Sequence, residues 1–430
     1  MKKIVSSLLI VSAFLLTACG SGNTNSSSAS SAANSSTEKT SASSDANSGA
    51  SEQEYTDPSQ LKDSYDIIIV GAGGAGMAAA IQAKEAGANP VILEKMPIAG
   101  GNTLKSSGGM NASETKFQKE QGIEDSNDTF FEDTLKGGQE TNDRDLLRYF
   151  VDHSADAIDW LDNMGITLNN ISYSGGASVK RIHRPADGSA VGGYLVDGLI
   201  RNVHEREIPL FVNADVTKIN ETDDKISGVT VAINGEEKEI NAKAVVVTTG
   251  GFGANEEMIT KYRPDLKGYV STNSEGSTGD GIKMIEALGG QTVAMDQIQV
   301  HPTVVQKDGM LISETVRGEG AILVNQQGKR FFNELETRDK VSAAETELPE
   351  HYAYLIFDDA LAKRAKQVDF YKEQGVVEEG ATIEELAKKI DVPEETLKAT
   401  LDTWNKAVAD KKDEEFGRET AMDYDLKCTL

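Results

Sequence analysis

The chain of 430 residues is long enough for two domains, and its 38% hydrophobic and 26% charged residues are typical of a folded globular protein. Its formal net charge of -26 disfavours nucleic acid or an anionic membrane surface as a partner. The acidic residues are spread along the chain, which is the pattern of a solvated surface.

The first 19 residues have the pattern of a bacterial lipoprotein signal. Lys2 and Lys3 precede an apolar run, residues 4–16, that is too short to span a bilayer. The sequence LTAC then ends at Cys19, in the place where such signals are cleaved before a lipid-modified cysteine. An ordinary secretory peptide with a coincidental cysteine is the alternative. We expect Cys19 to carry a lipid anchor, which would place the chain at the bacterial cell membrane, facing outside.

Residues 20–60 are expected to form a disordered tether. Between residues 20 and 49 the chain is almost entirely Ser, Ala, Asn, Thr and Gly, with few charges and no apolar period. Such a segment cannot bury enough apolar surface to fold. It would hold the globular part about 30 Å from the lipid, which suits display on the outer face of a membrane.

A strand, a glycine turn and a helix follow one another from residue 66. Four β-branched residues, 67–70, run into Gly71, Gly73 and Gly76, which have GxGxxG spacing. These glycines let the backbone approach a pyrophosphate, whose charge lies on the unpaired N–H groups at the helix start. A second apolar strand, 90–93, ends at Glu94, where a carboxylate would accept ribose hydroxyl groups. A chance glycine turn is the alternative, and the surrounding strand, helix and acid favour dinucleotide binding.

Further glycine-rich segments are expected at the same cofactor. The loop 100–113, GGNTLKSSGGMNAS, has two Gly-Gly pairs that permit close backbone approach, although a surface loop is the alternative. Residues 210–247 alternate like strands with a hairpin turn at Asn234-Gly235, and the last strand leads to Gly250. A glycine turn at 277–282 leads into an amphipathic helix, and a helix cap is the alternative role of its Asp280. Residues 142–164 have the period of a helix that packs on a core.

From residue 300 the sequence changes in character. Clusters of charged and polar residues are separated by strand-like runs, and two helix patterns follow, the first with a capping box of Thr382 and Glu385. We therefore expect a nucleotide-binding domain over residues 61–299, a second, cap-like domain over 300–425, and a short tail over 426–430.

Long collinear motifs carry a specific resemblance. They are VGAGGAGMAAA, EKMPIAGGNT, SSGGMNAS, VKRIHRP, VVTTGGF, STGDGI, QVHPT, SETVRGEGAILVN and ETRDKVSAA. Over residues 65–425 the chain resembles the flavoprotein part of the flavocytochrome c-type soluble fumarate reductases, within the succinate dehydrogenase/fumarate reductase flavoprotein family. The resemblance implies an α/β fold in which a Rossmann-like FAD-binding domain carries an inserted α+β capping domain.

The resemblance implies non-covalent FAD as the cofactor, and no metal. Gly71, Gly73, Gly76 and Glu94 match residues that hold its adenosine diphosphate half. Asn102 stands where the membrane-bound relatives attach the flavin covalently to a histidine. The residues that match the lining of the flavin are Asn102, Thr103, Ser107, Gly108, Gly109 and Met110. The residues that match the surroundings of the adenine and pyrophosphate are Val216, Gly250, Thr278, Gly279 and Asp280.

The resemblance also implies a reaction of a small unsaturated carboxylate. Hydride passes from N5 of reduced FAD to one carbon of the double bond, and a proton reaches the other carbon. Arg338 matches the proton donor, and Glu314 with Arg317 matches the relay that recharges it. His301 and Ser313 match contacts to one substrate carboxylate. Each residue alone has an ordinary alternative, such as a capping histidine or a surface ion pair, and their joint spacing favours the functional role.

The sequence departs from the family pattern in two ways. The family continues beyond the helix that ends near Lys412 with a strand-rich segment that returns to the FAD domain, so we expect the C-terminal part of that domain to be missing. The chain would then be a truncated or frameshifted product, or one that another polypeptide completes. No CxxCH haem motif or FMN motif is present in the sequence. A separate electron-donor protein, a haem or FMN carrier, is therefore expected.

Three interpretations stay open. The favoured one is an FAD-dependent reductase of fumarate that acts in anaerobic respiration, although urocanate, methacrylate and cinnamate reductases share most of these motifs. The second is a non-catalytic surface lipoprotein that binds flavin weakly or not at all. The third is a related FAD oxidase or dehydrogenase that forms the alkene.

Overall fold

The computed structural model describes residues 55–427. The expected signal, Cys19, the tether up to residue 54 and the last three residues lie outside that range. Within it, none of the helices combines the length and the apolar character needed to cross a bilayer. The described residues belong to one compact unit.

The helices and strands follow one another along the chain, with short 3-10 turns at Pro58–Gln60 and Pro264–Leu266. Their order is β1 (Ser64–Val70), α1 (Gly74–Glu85), β2 (Pro90–Leu93), α2 (Gly101–Leu104), β3 (Met110–Asn111), α3 (Lys116–Glu120), α4 (Asn127–Gly137), α5 (Arg144–Asp152), α6 (Ser154–Asn163), β4 (Asn170–Ser172), β5 (Ile182–Arg184), α7 (Val191–Glu205), β6 (Leu210–Phe211), β7 (Ala214–Thr222), β8 (Lys225–Ile233), β9 (Glu236–Val247), α8 (Glu256–Tyr262), α9 (Asp280–Ala287), α10 (Glu314–Gly318), β10 (Ile322–Val324), α11 (Arg338–Thr346), β11 (Tyr354–Ile356), α12 (Asp359–Arg364), α13 (Gln367–Glu373), α14 (Ile383–Lys389) and α15 (Glu394–Asp410).

A six-stranded sheet has the order β6-β2-β1-β9-β8-β7. Strand β1 pairs in parallel with β2 and with β9, and the register places Val70 beside Leu93 and Val247. Strands β7, β8 and β9 are antiparallel, and the β8–β9 turn at Asn234-Gly235 has both residues at positive φ, as predicted. Because β1, β2 and β9 are parallel, their carboxyl ends meet at one edge, where ligands bind in such folds.

Side chains of β1 alternate between two cores, which explains its unbroken apolar run. Ile69 faces a cluster that includes Met77 of α1. Ile68 and Val70 face the opposite cluster, which includes Val229 of β8. The three β1 side chains are at most 4% exposed. The strand is held from both faces, so the turn that follows it has a fixed starting point.

Residues 310–426 have hydrophobic clusters of their own. Strand β10 pairs with β11, and α14 and α15 pack around the fully buried Trp404. The guanidinium groups of Arg330 and Arg418 lie 4.8 and 4.7 Å from the Trp404 ring centroid, and both form ion pairs with Glu334. A second domain from residue 300 is compatible with these separate cores, and its boundary stays a prediction.

The single helix expected over residues 142–164 is wrong. The segment divides into α5 and α6 at His153, which ends the first helix and begins the second. The Ser154 hydroxyl, in the first turn of α6, accepts a hydrogen bond from the Ser113 N–H at 3.2 Å.

The capping box expected at α14 is only half formed. The Thr382 hydroxyl accepts from the Glu385 N–H at 3.2 Å, as a cap should. The Glu385 carboxylate, however, accepts from the N–H of Ala381 at 2.9 Å instead of that of Thr382.

Candidate active site

The glycine turn after β1 packs against the end of β9. Gly71 has a φ of +105° and donates to the Leu93 carbonyl at 2.8 Å. A Cβ atom at Gly71 would lie 2.7 Å from the Thr248 carbonyl oxygen, and one at Gly76 would lie 2.0 Å from the Gly71 oxygen. The Thr248 hydroxyl lies within hydrogen-bond distance, 2.9 and 3.1 Å, of the Val70 and Gly71 carbonyl oxygens. Gly71 and Gly76 are therefore required by the turn itself.

Gly73 is different, because open space lies where its side chain would be. A Cβ atom there would come no closer than 3.8 Å to another residue, and at Gly101 or Gly251 none would come within 4 Å. Gly73 is also the N-cap of α1, which has no side-chain cap. The Gly74 N–H donates to Thr103 at 3.0 Å. The helix thus presents N–H groups and its positive end to an open surface, which fits the pyrophosphate of FAD.

Glu94, at the end of β2, is held in place by the main chain. Its carboxylate accepts from the N–H groups of Ala72 at 2.7 Å and Met96 at 2.9 Å. It therefore lies beside the glycine turn, where the predicted ribose would be. The Ala214 N–H donates to the Glu94 carbonyl at 2.8 Å, which brings β7 to the same edge. Val216 follows, and its side chain is buried in the sheet core, so its main chain is the part that could meet an adenine.

Thr278 and Asp280 are joined by Lys95, a residue of the EKMPIAGGNT motif for which no role was predicted. Lys95 Nζ lies 2.6 Å from Thr278 Oγ1 and 2.5 Å from Asp280 Oδ2. Burial alone would raise the pKa of Asp280, but the hydrogen bonds from Lys95 and Thr278 outweigh it and hold that pKa below its usual value. Gly279 and Gly250 have φ of +81° and +71°. The Gly279 N–H donates to the carbonyl oxygen of Gly251 at 3.0 Å. These predicted residues therefore meet at the edge that also holds Glu94.

Asn102, in α2, is bound to a distant segment of the chain. Its amide donates to the Asn273 side chain at 2.7 Å and accepts from the Ser274 N–H at 2.6 Å. An asparagine amide has no nucleophilic nitrogen, so the side chain fits the prediction of non-covalent FAD.

The rest of the predicted flavin loop lies against β5. Met110, in β3, pairs with His183, and a Cβ atom at Gly109 would lie 2.4 Å from the His183 carbonyl oxygen. Gly108 and Ser107 come directly before it, and the Ser107 hydroxyl is buried. The loop is therefore shaped by close backbone contact at Gly109.

Tyr371 connects the flavin loop with the cap residues. Its hydroxyl accepts from the Ser313 N–H at 2.9 Å. Burial raises the pKa of Tyr371 to about 12, against the opposing effects of the Ser313 N–H and of Ser107. Ser313 is the N-cap of α10, and its hydroxyl lies 3.2 Å from the Thr315 N–H and 3.1 Å from Thr315 Oγ1. The Ser313 hydroxyl therefore serves its own helix in this structure.

Glu314 and Arg338 form a two-pronged ion pair. Arg338 Nε and Nη2 each donate to a Glu314 oxygen at 2.7 Å, and Nη1 donates to Gln299 at 2.5 Å. Burial alone would raise the pKa of Glu314, but the hydrogen bonds and charge of Arg338, with the charge of Arg317, lower it to about 2. The same hydrogen bonds raise the pKa of Arg338. Glu314 is therefore ionised at neutral pH.

Arg317 is a fully buried cation beside this pair. Its Nη2 lies 3.6 Å from Glu314 Oε1, and its Nη1 donates to the Glu334 carbonyl at 2.7 Å. Its Nε and Nη2 atoms are buried and have no hydrogen-bond partner within the described part of the chain. Burial lowers the pKa of Arg317. Glu314 thus lies between two guanidinium groups.

His301 offers an unused hydrogen-bond donor to the same cluster. Its Nδ1 accepts from the Thr303 N–H at 3.2 Å, which leaves the proton of the neutral ring on Nε2. Nε2 is buried without a partner among residues 55–427. Burial lowers the pKa of His301 to about 4, with Arg338 and Arg317 acting in the same direction and Glu314 against them. At neutral pH the ring is uncharged and can donate to a carboxylate.

The structure brings most of the predicted residues into two groups. The glycines, Glu94, Thr278 and Asp280 meet at the sheet edge, and His301, Glu314, Arg317 and Arg338 form one charged cluster. Lys95 and Gln299 stand in the quoted motifs EKMPIAGGNT and QVHPT, but no role was predicted for either. Thr248 stands in the quoted motif VVTTGGF, but its contact with Gly71, 177 residues away, was not predicted. Tyr371 had no local signal, since it reaches Ser313 across 58 residues.

Comparison with known proteins assigns the family. A family model described as an FAD binding domain matches residues 66–425. The chain is 52% identical to the NADH:fumarate oxidoreductase of Klebsiella pneumoniae (strain 342), over 84% of this chain and 39% of that protein. It is 42% identical to a fumarate reductase (cytochrome) of Shewanella frigidimarina, over 86% of this chain and 65% of that protein.

A solved structure gives the same result. The open conformation of a flavocytochrome c3 fumarate reductase has a TM-score of 0.67 and 40% identity, over 86% of this chain and 66% of that one. The chain thus spans between 39% and 66% of the length of these three proteins. The predicted α/β fold class is confirmed, and the glycine turn, the uncapped helix start and Glu94 fit FAD. The chain belongs to the FAD-binding flavoprotein family of succinate dehydrogenases and fumarate reductases, and FAD is its cofactor.

Proposed function

We propose that this chain reduces fumarate, or a close α,β-unsaturated carboxylate, at the outer surface of the bacterial cell. The observation that carries the proposal is the Glu314 carboxylate held between the guanidinium groups of Arg338 and Arg317. The relatives named for fumarate reduction support the substrate class.

FAD would be held by the sheet-edge group. The open N–H groups around Gly73 would bind the pyrophosphate, and Glu94 would accept the ribose hydroxyls. Lys95 holds Thr278 and Asp280 in position beside them. When bound and reduced, FAD supplies the hydride that adds to one carbon of the substrate double bond.

Arg338 would donate the proton to the other carbon. Its Nε proton and one Nη2 proton are bound by Glu314, and one Nη1 proton is bound by Gln299. One proton on each Nη atom is left for a substrate. The guanidinium charge would also stabilise negative charge that develops beside the carboxylate, which makes an arginine effective as an acid in spite of its high pKa.

Glu314 would pass protons without storing them. Its pKa of about 2 keeps it ionised at neutral pH, so it cannot act as a reservoir. It can accept a proton from the Arg317 side as it returns one to Arg338. Arg317 Nη2 lies 3.6 Å from Glu314 Oε1, so the Glu314 carboxylate stands between Arg317 and Arg338, as this transfer requires.

His301 would bind one substrate carboxylate through its Nε2–H. The donor is buried, unpartnered among the described residues and close enough to Glu314 and Arg338 for their charges to act on it. Ser313 is the second proposed contact, and a substrate would have to compete there with Thr315 for the hydroxyl.

Cys19 is the proposed lipid anchor, and a separate haem or FMN carrier is the proposed electron donor. The signal-like sequence before Cys19 supports the first, and the names of two relatives, an NADH:fumarate oxidoreductase and a fumarate reductase (cytochrome), support the second. A Cys19→Ala variant should fail to incorporate a labelled fatty acid and should leave the membrane fraction. An equal amount of membrane-bound, labelled protein would contradict the anchor.

The activity is tested with the full chain, purified in detergent and supplied with FAD. Flavin absorbance is measured after gel filtration, and oxidation of a reduced viologen is then followed with fumarate, urocanate, methacrylate and cinnamate. Retained flavin with fastest turnover of fumarate would support the proposal. Faster turnover of another enoate would change the substrate, and oxidation of succinate alone would indicate a dehydrogenase. A colourless protein that retains no flavin would overturn the proposal.

A further inference from the structure

Glu345 lies on the same helix as the proposed proton donor but has no role in the relay described above. It follows Arg338 by seven residues in α11, so the two side chains project from nearly the same face, two turns apart. The Ser342 hydroxyl donates to the Val300 carbonyl at 3.0 Å and holds this helix against the segment that carries His301. The relay and Glu345 are thus parts of one packed unit.

Glu345 is a second acidic residue whose charge reaches the buried Arg317, although no direct ion pair joins the two side chains among residues 55–427. Glu345 as a whole is partly exposed to solvent. Its Oε2 atom, however, is buried and has no hydrogen-bond partner in the described chain. Arg317 is fully buried and has two unpartnered nitrogen atoms. The charge of each of these two groups acts on the other. A buried oxygen without a partner, on a residue that is partly exposed, calls for an explanation, and the uptake of a proton from solvent is one that fits this position.

The surroundings of Glu345 make it able to take up and release a proton near neutral pH. Burial raises the pKa of its carboxyl, while the Ala353 N–H and the charge of Arg317 lower it, and the result is about 7. Arg317 of α10 is the charged group that acts on this carboxyl within residues 55–427. Both forms of the carboxyl are therefore populated at neutral pH.

We propose that Glu345 is the residue through which a solvent proton enters the Arg317–Glu314–Arg338 relay. This inference rests on the proposed function. In each cycle the Glu345 carboxylic acid gives its proton towards Arg317, an Arg317 N–H proton passes to Glu314, and Glu314 returns a proton to Arg338. Water then reprotonates Glu345. One proton enters for each proton delivered to substrate, and the relay moves no electrons.

A purely structural role predicts different behaviour. If Glu345 only balanced the charge of Arg317, its ionised form would be the useful one, and activity would rise as it lost its proton. As an inlet it must be protonated to act. The pH dependence of turnover therefore separates the two roles.

The experiment compares the full chain with Glu345→Gln, Glu345→Asp and the control Glu347→Gln, an exposed residue at the end of the same helix. With fumarate and reduced viologen, we expect Glu345→Gln to lower kcat about tenfold or more with little change in KM. The fall in wild-type rate above pH 7 should disappear in this variant. Glu345→Asp should restore part of the rate, and Glu347→Gln should match the wild type. A wild-type pH profile in Glu345→Gln would overturn the inference.

A second measurement does not depend on turnover. Infrared spectroscopy should detect a protonated carboxyl band that titrates near pH 7 and is absent from Glu345→Gln. In Glu314→Gln its midpoint should move down, because Arg317 then has one neutralising charge fewer. If the wild type proves unable to reduce any enoate, the proposed function fails, and this shift alone decides whether Glu345 is coupled to the relay. A band whose midpoint is the same in Glu314→Gln would overturn the inference.

Discussion

Arg338 and Glu314 are joined by two parallel hydrogen bonds of 2.7 Å each, although they lie 24 residues apart in sequence. The pairing fixes the plane of the guanidinium group and determines which of its protons are free. A lysine could carry the same charge but could not make this two-pronged contact.

Arg338→Lys should therefore lower kcat for fumarate by about a hundredfold or more, since general acid catalysis typically contributes that much. FAD absorbance should be unchanged, because no FAD-binding residue is altered. Lys340→Gln is the matched control, since Lys340 lies on the same helix and its exposed pair with Glu336 is outside the relay. A lysine variant as fast as the wild type would remove Arg338 from its proposed role.

Glu314→Gln should change the stability of the fold in a pH-dependent way. The folded pKa of Glu314 is lowered from 4.5 to about 2. Its ionised form therefore stabilises the fold above pH 4.5, and this contribution is lost as the pH falls towards 2. We expect the wild type to exceed Glu314→Gln in unfolding free energy by at most about 3 kcal/mol at neutral pH. Denaturant titrations should show the difference shrinking between pH 4.5 and 2, and a constant difference would contradict it.

Glu345→Gln should have the opposite dependence. The folded pKa of Glu345 is raised from 4.5 to about 7, so the wild type loses stability as the pH rises through that interval. The glutamine has no charge to bury. Relative to the wild type, the variant should gain at most about 3 kcal/mol of unfolding free energy between pH 4.5 and pH above 7. Equal stability curves for the two proteins would show that the carboxyl is not buried as the structure indicates.

Gly76→Ala should prevent normal FAD binding. The added methyl group would lie 2.0 Å from the Gly71 carbonyl oxygen, so the start of α1 would have to move away from the turn. We expect a colourless protein with a lower melting temperature. Gly193→Ala is the control, because its Cβ atom in α7 would meet nothing within 4 Å. That change should be neutral or stabilise the helix by about 0.5–1 kcal/mol. A yellow Gly76→Ala protein with normal flavin content would contradict the role of Gly76 in the FAD-binding turn.

Local patterns predicted the part of the site that is built from local structure. The strand before Gly71, the helix after it and the strand that ends at Glu94 appear where the sequence placed them, because each depends on apolar period and glycine spacing within about thirty residues. The cap residues were found only through family resemblance, since nothing in the isolated charges of Glu314 or Arg338 shows that they meet.

Long-range contacts account for most of what the sequence did not show. Tyr371 reaches Ser313 from 58 residues away, and Glu345 acquires its properties from burial near Arg317. The break at His153 was hidden because the apolar period continues across it. At the break, the first residue of α6, Ser154, is tied to Ser113, which lies 41 residues away in sequence.

Because Thr248 completes the turn at Gly71, this turn cannot be finished until the chain has been synthesised as far as Thr248. The turn at Gly71 emerges from the ribosome early, but the hydroxyl and carbonyl groups that complete it belong to a residue made 177 positions later. Until β9 has been translated and has taken its place beside β1, the nascent chain lacks one wall of its nucleotide site. Cofactor loading should therefore require that β9 has paired with β1, and the bound flavin would then mark chains in which this pairing has been achieved.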